Sequence, residues 1–229
     1  MIVEPGSGVD PEVLISRFPY LYHMAECGSW PSIRKHGLLS TSALLDLFEI
    51  KEGERDAIES ELRLTNIAVQ HTKLGRAVIR DQCPMSISGL GRCLADGISP
   101  GQWLRTLNGR VFFWVSEKRL LRLLGASNYA AHEHDVLILD TRLLMRDYLQ
   151  KIELCAMNSG ATKPYPWPRG MHTFLPVEKY PWDHWVEKRG KRGETVVELT
   201  LAGGVLNVER YLVEARRMKG DKVLFIFEP

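Results

Sequence analysis

The segment 21–41 restricts the possible folds of this chain more than any other stretch of its sequence. Its letters, LYHMAECGSWPSIRKHGLLST, predict a short apolar strand that ends at His23, then one compact helix and a polar turn. Ser29 suits the N-cap, Pro31 lies where a missing N–H costs little, and Gly37 suits a left-handed C-terminal cap. This layout places the His23 imidazole at the mouth of a strand, where it can hold a sugar hydroxyl or an amide. The alternative is a hydrogen-bonded histidine with a purely structural role.

The order of predicted elements favours an α+β fold. Strands and helices interleave without a regular βαβ rhythm, and the sequence has neither a GxGxxG nor a GxxxxGK[ST] motif. A length of 229 residues makes one domain over 1–229 the default. We therefore expect a single α+β domain with a mixed, largely antiparallel sheet and peripheral helices. Near the end of the chain, Asn207 is expected to cap a helix that runs to about Met218.

Charge, hydropathy and cysteine spacing give no indication of nucleic-acid binding, a membrane segment or a metal site. The formal net charge of +2 is too small to indicate nucleic-acid binding by itself. No run of roughly eighteen apolar residues occurs, so no membrane segment is predicted. The four cysteines include no CxxC pair, and His132 and His134 have no third ligand at a helpful spacing, so no metal site is predicted. We expect a cytoplasmic protein.

The stretch 158–192 is rich in Pro, Gly and Trp and predicts a long irregular loop. Loops of this size in a compact domain are usually lids or binding loops. Lys188, Arg189 and Arg192 form a basic group at its end. That group is either a solvated face or a rim that meets phosphate.

Two charged residues are candidates for chemistry. Glu198 lies in the segment TVVELTL, which predicts a strand with Val196, Glu198 and Thr200 on one face. On the sequence alone, an outward-facing carboxylate on an amphipathic strand is the favoured interpretation. Arg80 offers a planar fork that suits pyrophosphate, and its alternative is an ion pair with Asp81.

The features of segment 21–41 resemble the opening of ADP-ribosyltransferase-type NAD-binding domains, particularly the DarT-like branch. Members of that branch begin with a strand ending in His, followed by a helix of the form xxxIxxxGLxS. Ile33, Gly37, Leu38 and Ser40 match that form. The resemblance is close over this segment and extends to the rest of the chain only through the order of elements. It implies a split sheet and NAD as co-substrate.

The resemblance also implies roles for individual residues. Glu198 would be the catalytic glutamate, stabilising the oxocarbenium-like ribose that forms when the nicotinamide–ribose bond breaks. The implied NAD-binding residues are His23, Ser40, Arg80, Met85 and Trp114. The acceptor in this branch is often a nucleic-acid base, and it would meet the 158–192 lid with Lys188, Arg189 and Arg192.

The first functional hypothesis is therefore an NAD-dependent ADP-ribosyltransferase acting on a macromolecular acceptor. Two alternatives stay open. One is a tRNA 2′-phosphotransferase-like enzyme, against which Glu198 argues because that branch lacks the catalytic glutamate. The other is a non-catalytic nucleotide- or nucleic-acid-binding module on the same fold. The sequence does not indicate an oligomeric state.

Overall fold

The computed structural model describes residues 3–190 and 192–228. Within these ranges the strands are β1 (Tyr20–Glu26), β2 (Leu38–Leu39), β3 (Ile67–His71), β4 (Gly75–Ile79), β5 (Arg110–Trp114), β6 (Glu133–Asp140), β7 (Ile152–Cys155), β8 (Leu175–Pro176), β9 (Glu198–Ala202), β10 (Gly204–Val205), β11 (Leu212–Lys219) and β12 (Lys222–Ile226). The α-helices are α1 (Pro11–Arg17), α2 (Trp30–His36), α3 (Thr41–Leu47), α4 (Glu52–Ser60), α5 (Ile87–Gly91), α6 (Pro100–Asn108), α7 (Glu117–Leu124), α8 (Thr141–Tyr148) and α9 (Trp182–Arg189). Three 3-10 helices cover Leu149–Lys151, Val177–Lys179 and Val208–Tyr211.

One large antiparallel sheet organises the fold, with strand order β12-β11-β6-β1-β5-β9-β7-β8. Every neighbouring pair in it is antiparallel, so the prediction of a mixed sheet is wrong. The reason lies in the position of β1. It separates β5 from β6, the two strands that α7 connects and that run in the same direction, so the helix-linked strands are not neighbours. The expected combination of one antiparallel sheet with peripheral helices is confirmed.

β1 is longer than the sequence predicts. It pairs with β6 from Tyr20 opposite Asp140 to Glu26 opposite His134. The prediction that the strand ends at His23 is therefore wrong, because pairing with β6 carries the extended backbone three residues further. His23 lies in the middle of an inner strand of the sheet.

The helix after β1 forms where the sequence predicts it, but its N-terminal cap comes from elsewhere. Ser29 makes no side-chain cap bond. Instead the Oδ2 of Asp135 on β6 accepts a hydrogen bond from the Trp30 amide at 2.9 Å. Gly37 ends the helix with a φ of +92°, and a Cβ there would lie 2.9 Å from the carbonyl oxygen of Val205. The long-range cap ties α2 to the centre of the sheet.

Two segments differ from their predicted conformation. The helix expected from Asn207 is absent among the described residues, since a 3-10 turn over Val208–Tyr211 leads into β11. Pairing of β11 with both β6 and β12 outweighs the local helical tendency of this segment. The stretch 158–192 is not irregular throughout, because it contains β8, the 3-10 helix Val177–Lys179 and α9.

The main core lies on one face of the sheet. It includes Leu21, Phe113, Leu139 and Leu199, all at most 2 % exposed, which α1 and α8 help to cover. Burial of such apolar side chains is the main favourable contribution to the free energy of folding. None of the helices in the described part of the chain is long and apolar enough to cross a membrane.

The Asp135 carboxylate predicts a test of the fold. It is fully buried, and its Oδ1 lies 3.0 Å from Nη2 of Arg217 while Oδ2 caps α2. Asp135→Ala should lower the free energy of unfolding in urea by about 3 kcal/mol, because it leaves a partly buried guanidinium and a helix N-terminus unpaired. The exposed N-cap Asp10 of α1 provides the control, and Asp10→Ala should cost only about 1 kcal/mol. Equal losses for the two variants would contradict the role given to Asp135.

Candidate functional site

A cavity opens where the large sheet separates between two of its inner strands. In the described chain β1 and β5 share one register pair, Tyr22 with Trp114, whereas β1 pairs with β6 along its whole length. Beyond Tyr22 the two strands diverge and leave a cavity of about 360 Å³. Residues of α2 and of the β3–β4 hairpin close its other sides. Its volume lies at the lower end of the range typical of small-molecule sites.

His23 faces this cavity and bridges the gap between the strands. Its Nδ1 lies 2.9 Å from the carbonyl oxygen of Phe112 on β5. Burial lowers the pKa of His23 to about 4, so the imidazole is neutral at physiological pH. A neutral ring that donates its Nδ1 hydrogen to a carbonyl keeps Nε2 as an acceptor. The ring can therefore receive a hydrogen bond from a hydroxyl or an amide of a ligand.

Glu198 lines the same cavity from β9. The side chain is buried, with the residue 4 % exposed, and both carboxylate oxygens lie near the Ser159 amide nitrogen, at 3.3 and 3.2 Å. The interpretation of Glu198 as an outward-facing surface carboxylate is therefore wrong. Burial raises its pKa to about 7, against the opposing effect of the Ser159 hydrogen bonds and of the nearby Arg119 and Arg169. Near neutral pH this group passes between carboxylic acid and carboxylate.

His23 and Glu198 reach the same cavity from opposite faces of the sheet. Trp114 on β5 is the partner of Tyr22 on β1 and also of Glu198 on β9, so these three side chains share one face. His23 follows Tyr22 and points to the other face, where its ring packs against Phe113. Both residues line the cavity because it lies at the gap between β1 and β5. Two residues distant in the sequence thus face one small cavity.

Arg169 supports Glu198 from behind, and sequence reasoning missed it. This residue is fully buried and donates from Nη1 to the Ser159 carbonyl at 2.6 Å and from Nη2 to the Ala161 carbonyl at 2.8 Å. Its Nε donates to the Trp167 carbonyl at 3.0 Å. The bonds hold the segment that carries the Ser159 amide. No local sequence signal distinguishes this arginine from the other basic residues of the 158–192 stretch.

Arg80 lines the cavity, but its guanidinium is already engaged by protein groups. Nη1 donates to the Met24 carbonyl at 3.2 Å, and Nη2 lies 3.7 Å from Oδ2 of Asp81. Its guanidinium carbon also lies 4.8 Å from the centre of the Tyr129 ring. These contacts match the ion-pair alternative for Arg80 and tie the end of β4 to β1.

Arg76 is the arginine at this cavity whose guanidinium is accessible. It lies on β4 four residues before Arg80, is exposed and contributes to the cavity lining. Its neighbours Ala77 and Ile79 are buried, so the alternation of the strand turns Arg76 away from the hairpin core. That alternation was the available sequence signal for this residue.

The remaining predicted NAD-binding residues have different positions. Ser40 is buried and its Oγ accepts from the Ala43 amide at 3.2 Å, which makes it the N-cap of α3 rather than part of the cavity lining. The prediction that it binds a ligand is therefore not supported, because its hydroxyl is used for capping. Met85 lines the cavity and also packs against Trp103 in a second core cluster. Trp114 also lines the cavity.

The predicted acceptor-binding residues lie next to the cavity rather than within it. Lys188 and Arg189 are at the end of α9 and line a second groove, which meets the first cavity at Asn158. Arg192 is exposed and is not part of the lining of either. The groove also carries two exposed aromatic side chains, Tyr165 (75 %) and Trp167 (58 %). Among the residues that the structure describes, no three His, Cys, Asp or Glu side chains come together as a metal site.

The raised pKa of Glu198 predicts how stability depends on pH. A carboxyl whose pKa moves from 4.5 to about 7 on folding binds more protons in the native state, so stability is lost as pH rises through this window. Glu198→Gln should remove this loss, which amounts to about 3 kcal/mol between pH 4.5 and pH 8. Urea unfolding of both proteins across this range measures it. His23 acts in the opposite direction and below pH 6.5, where acid destabilises the fold of both proteins alike. Parallel stability curves would contradict the burial of Glu198.

Comparison with known proteins gives one match. No curated protein and no solved structure matches the chain. One family model matches over residues 19–212, which includes His23, Arg169 and Glu198. The chain therefore belongs to DUF7002, a family of unknown function.

Proposed function

We propose that the protein is an NAD-dependent ADP-ribosyltransferase that transfers ADP-ribose to a macromolecular acceptor. The observation that carries this proposal is the convergence of His23 and Glu198 on one cavity in the split of the sheet. A neutral hydrogen-bond acceptor and a buried carboxylate that line the same cavity suit glycosyl transfer. The antiparallel sheet, divided between β1 and β5, supports assignment to the ADP-ribosyltransferase type of fold.

Glu198 would stabilise the positive charge that develops during the reaction. In the transfer the bond between nicotinamide nitrogen and ribose C1′ breaks, and its electron pair leaves with neutral nicotinamide. Positive charge develops on the ribose, and a buried carboxylate stabilises it more strongly than an exposed one because the surroundings screen less. The acceptor nucleophile then bonds to C1′ and releases its proton. Glu198, with a pKa of about 7, is suited to receive that proton.

His23 and Arg76 would orient the substrate. The Nε2 of a neutral His23 accepts a hydrogen bond from a ribose hydroxyl or from the nicotinamide carboxamide. Arg76 is at the cavity wall with an exposed guanidinium, which can bind a phosphate with two parallel hydrogen bonds. Arg76 thus takes the role that the sequence suggested for Arg80.

The groove beside the cavity would receive the acceptor. Lys188 and Arg189 provide positive charge, and Tyr165 and Trp167 expose flat rings. Cations next to exposed aromatic rings suit a nucleic-acid base on a charged backbone. Asn158 lies at the junction between groove and cavity, so an acceptor in the groove would reach towards Glu198.

The decisive test is NAD⁺ turnover by the full chain with candidate nucleic-acid and protein acceptors. Nicotinamide release should occur, and its rate should rise with pH through about 7 and level off above it as Glu198 ionises. Glu198→Gln should lower the rate by two to three orders of magnitude, roughly the cost of removing one preorganised charge. Glu12→Gln on α1 is the matched control and should not change the rate. Binding of NAD⁺ without turnover would favour the non-catalytic binding module, and turnover that survives in Glu198→Gln would contradict the role of Glu198.

Arg76 predicts a separate effect on substrate binding. Arg76→Ala should raise the KM for NAD⁺ about thirtyfold, because a charge-assisted bond to phosphate contributes about 2 kcal/mol. The kcat should change little, since the phosphate contact is the same in the ground state and in the transition state. Steady-state kinetics measure both constants. Lys73→Ala, at the tip of the same hairpin and outside the cavity lining, is the control. An unchanged KM would exclude Arg76 as the phosphate ligand.

A further inference from the structure

Arg169 places a buried charge inside the fold, which by itself lowers the stability of the protein. A buried charge is destabilising unless it is paired and fully hydrogen-bonded, yet within the described ranges no carboxylate comes within ion-pair distance of this guanidinium. Three carbonyl oxygens of its own loop, those of Ser159, Ala161 and Trp167, accept its hydrogen bonds at 2.6–3.0 Å. The side chain also lies over the Trp103 ring, 5.9 Å from its centre. All of these bonds converge on the segment next to Glu198.

Ser159 is held from two sides. Arg169 binds its carbonyl oxygen, and its amide nitrogen lies within 3.3 Å of both oxygens of Glu198. The Ser159 hydroxyl is buried, and together with the Ser159 amide it favours the ionised form of Glu198. Asn158, Ser159 and Gly160 all line the cavity. The segment 158–161 therefore belongs to the site and is not a remote part of the scaffold.

We propose that Arg169 is the positioning residue of this site, fixing segment 158–161 so that the Ser159 amide holds the Glu198 carboxylate towards the cavity. The expected effect of Arg169 on turnover rests on the proposed function, whereas its effect on the pKa of Glu198 does not. Arg169 touches no substrate in this proposal and acts only through Ser159. A planar guanidinium suits the task because its fixed fork reaches several carbonyls at once, which an ammonium group cannot do.

The charges around Glu198 agree with this role. Arg119 from α7 and Arg169 both favour the ionised form of Glu198, while burial opposes it. Cys155 faces Glu198 across the β7–β9 pair, and burial raises the pKa of its thiol, so it stays neutral. His23 across the cavity is neutral as well. Loss of the bonds made by Arg169 would therefore leave the Glu198 anion with less support.

The test is a titration of Glu198 by carbon NMR in the full-length protein, which needs no NAD⁺. In Arg169→Lys the pKa of Glu198 should rise by about one unit, because the lysine keeps a charge but cannot hold the segment. The kcat at pH 7 should fall about fivefold, because the ionised fraction of Glu198 falls from about one half to about one tenth, and KM should change little. Arg63→Lys is the matched control, since Arg63 is also buried and bonds the Ile58 and Arg80 carbonyls. The Arg63→Lys variant should lose about as much free energy of unfolding as Arg169→Lys, but the pKa of Glu198 should stay unchanged.

If Glu198 titrates at the wild-type pH in Arg169→Lys, Arg169 only supports the fold and the proposal is wrong. The wild-type protein provides a second measurement that does not depend on a variant folding. The Ser159 amide and the Arg169 guanidinium resonances should shift with the midpoint of Glu198, and those of Arg63 should not. Ser159 and Arg169 resonances that stay fixed through that midpoint would overturn the proposal. Absence of NAD⁺ turnover in the wild type would refute the proposed function without affecting either result.

Discussion

The separation of β1 from β5 beyond Tyr22 and Trp114 determines where the sheet divides and where the cavity lies. Among the described residues, one register pair keeps the two halves of the sheet together, and the divergence beyond it leaves unpaired backbone that needs partners. His23 supplies one by binding the Phe112 carbonyl across the gap. The same divergence creates the cavity and exposes the first residue of β9, Glu198, to it. Fold and candidate site thus have a common origin.

The charged groups at the cavity make the site energetically unfavourable for the fold. Burial keeps Glu198 partly protonated near neutral pH and prevents His23 from ionising above pH 4. Arg169 adds a further buried charge. Groups of this kind reduce stability, and perturbed pKa values concentrate at functional sites, where recognition or chemistry requires such groups. Glu198 and His23 line one cavity, and Arg169 lies behind Glu198, so these groups are grouped around one place rather than spread over the core, which supports a catalytic interpretation.

Much of the fold could be predicted because its signals are local. The strand and helix of segment 21–41 and the strand that carries Glu198 form where their local patterns predict them, whereas Glu198 was singled out through a resemblance rather than through its pattern. The predictions that failed concern residues whose conformation or contacts depend on partners distant in the sequence. β11 is extended because it pairs with β6, and Arg80 is engaged because Tyr129 lies beside it in space. Arg169 shows no local signal, since its role is set by three carbonyls of a folded loop.

The position of bound NAD⁺ is tested most directly by a crystal structure of the Glu198→Gln protein with NAD⁺, in which slow turnover preserves the bound dinucleotide. We expect the nicotinamide–ribose bond to lie between His23 and position 198, with a phosphate at Arg76. Nicotinamide on the far side of β5, or NAD⁺ bound away from the split while the cavity contains only water, would contradict it.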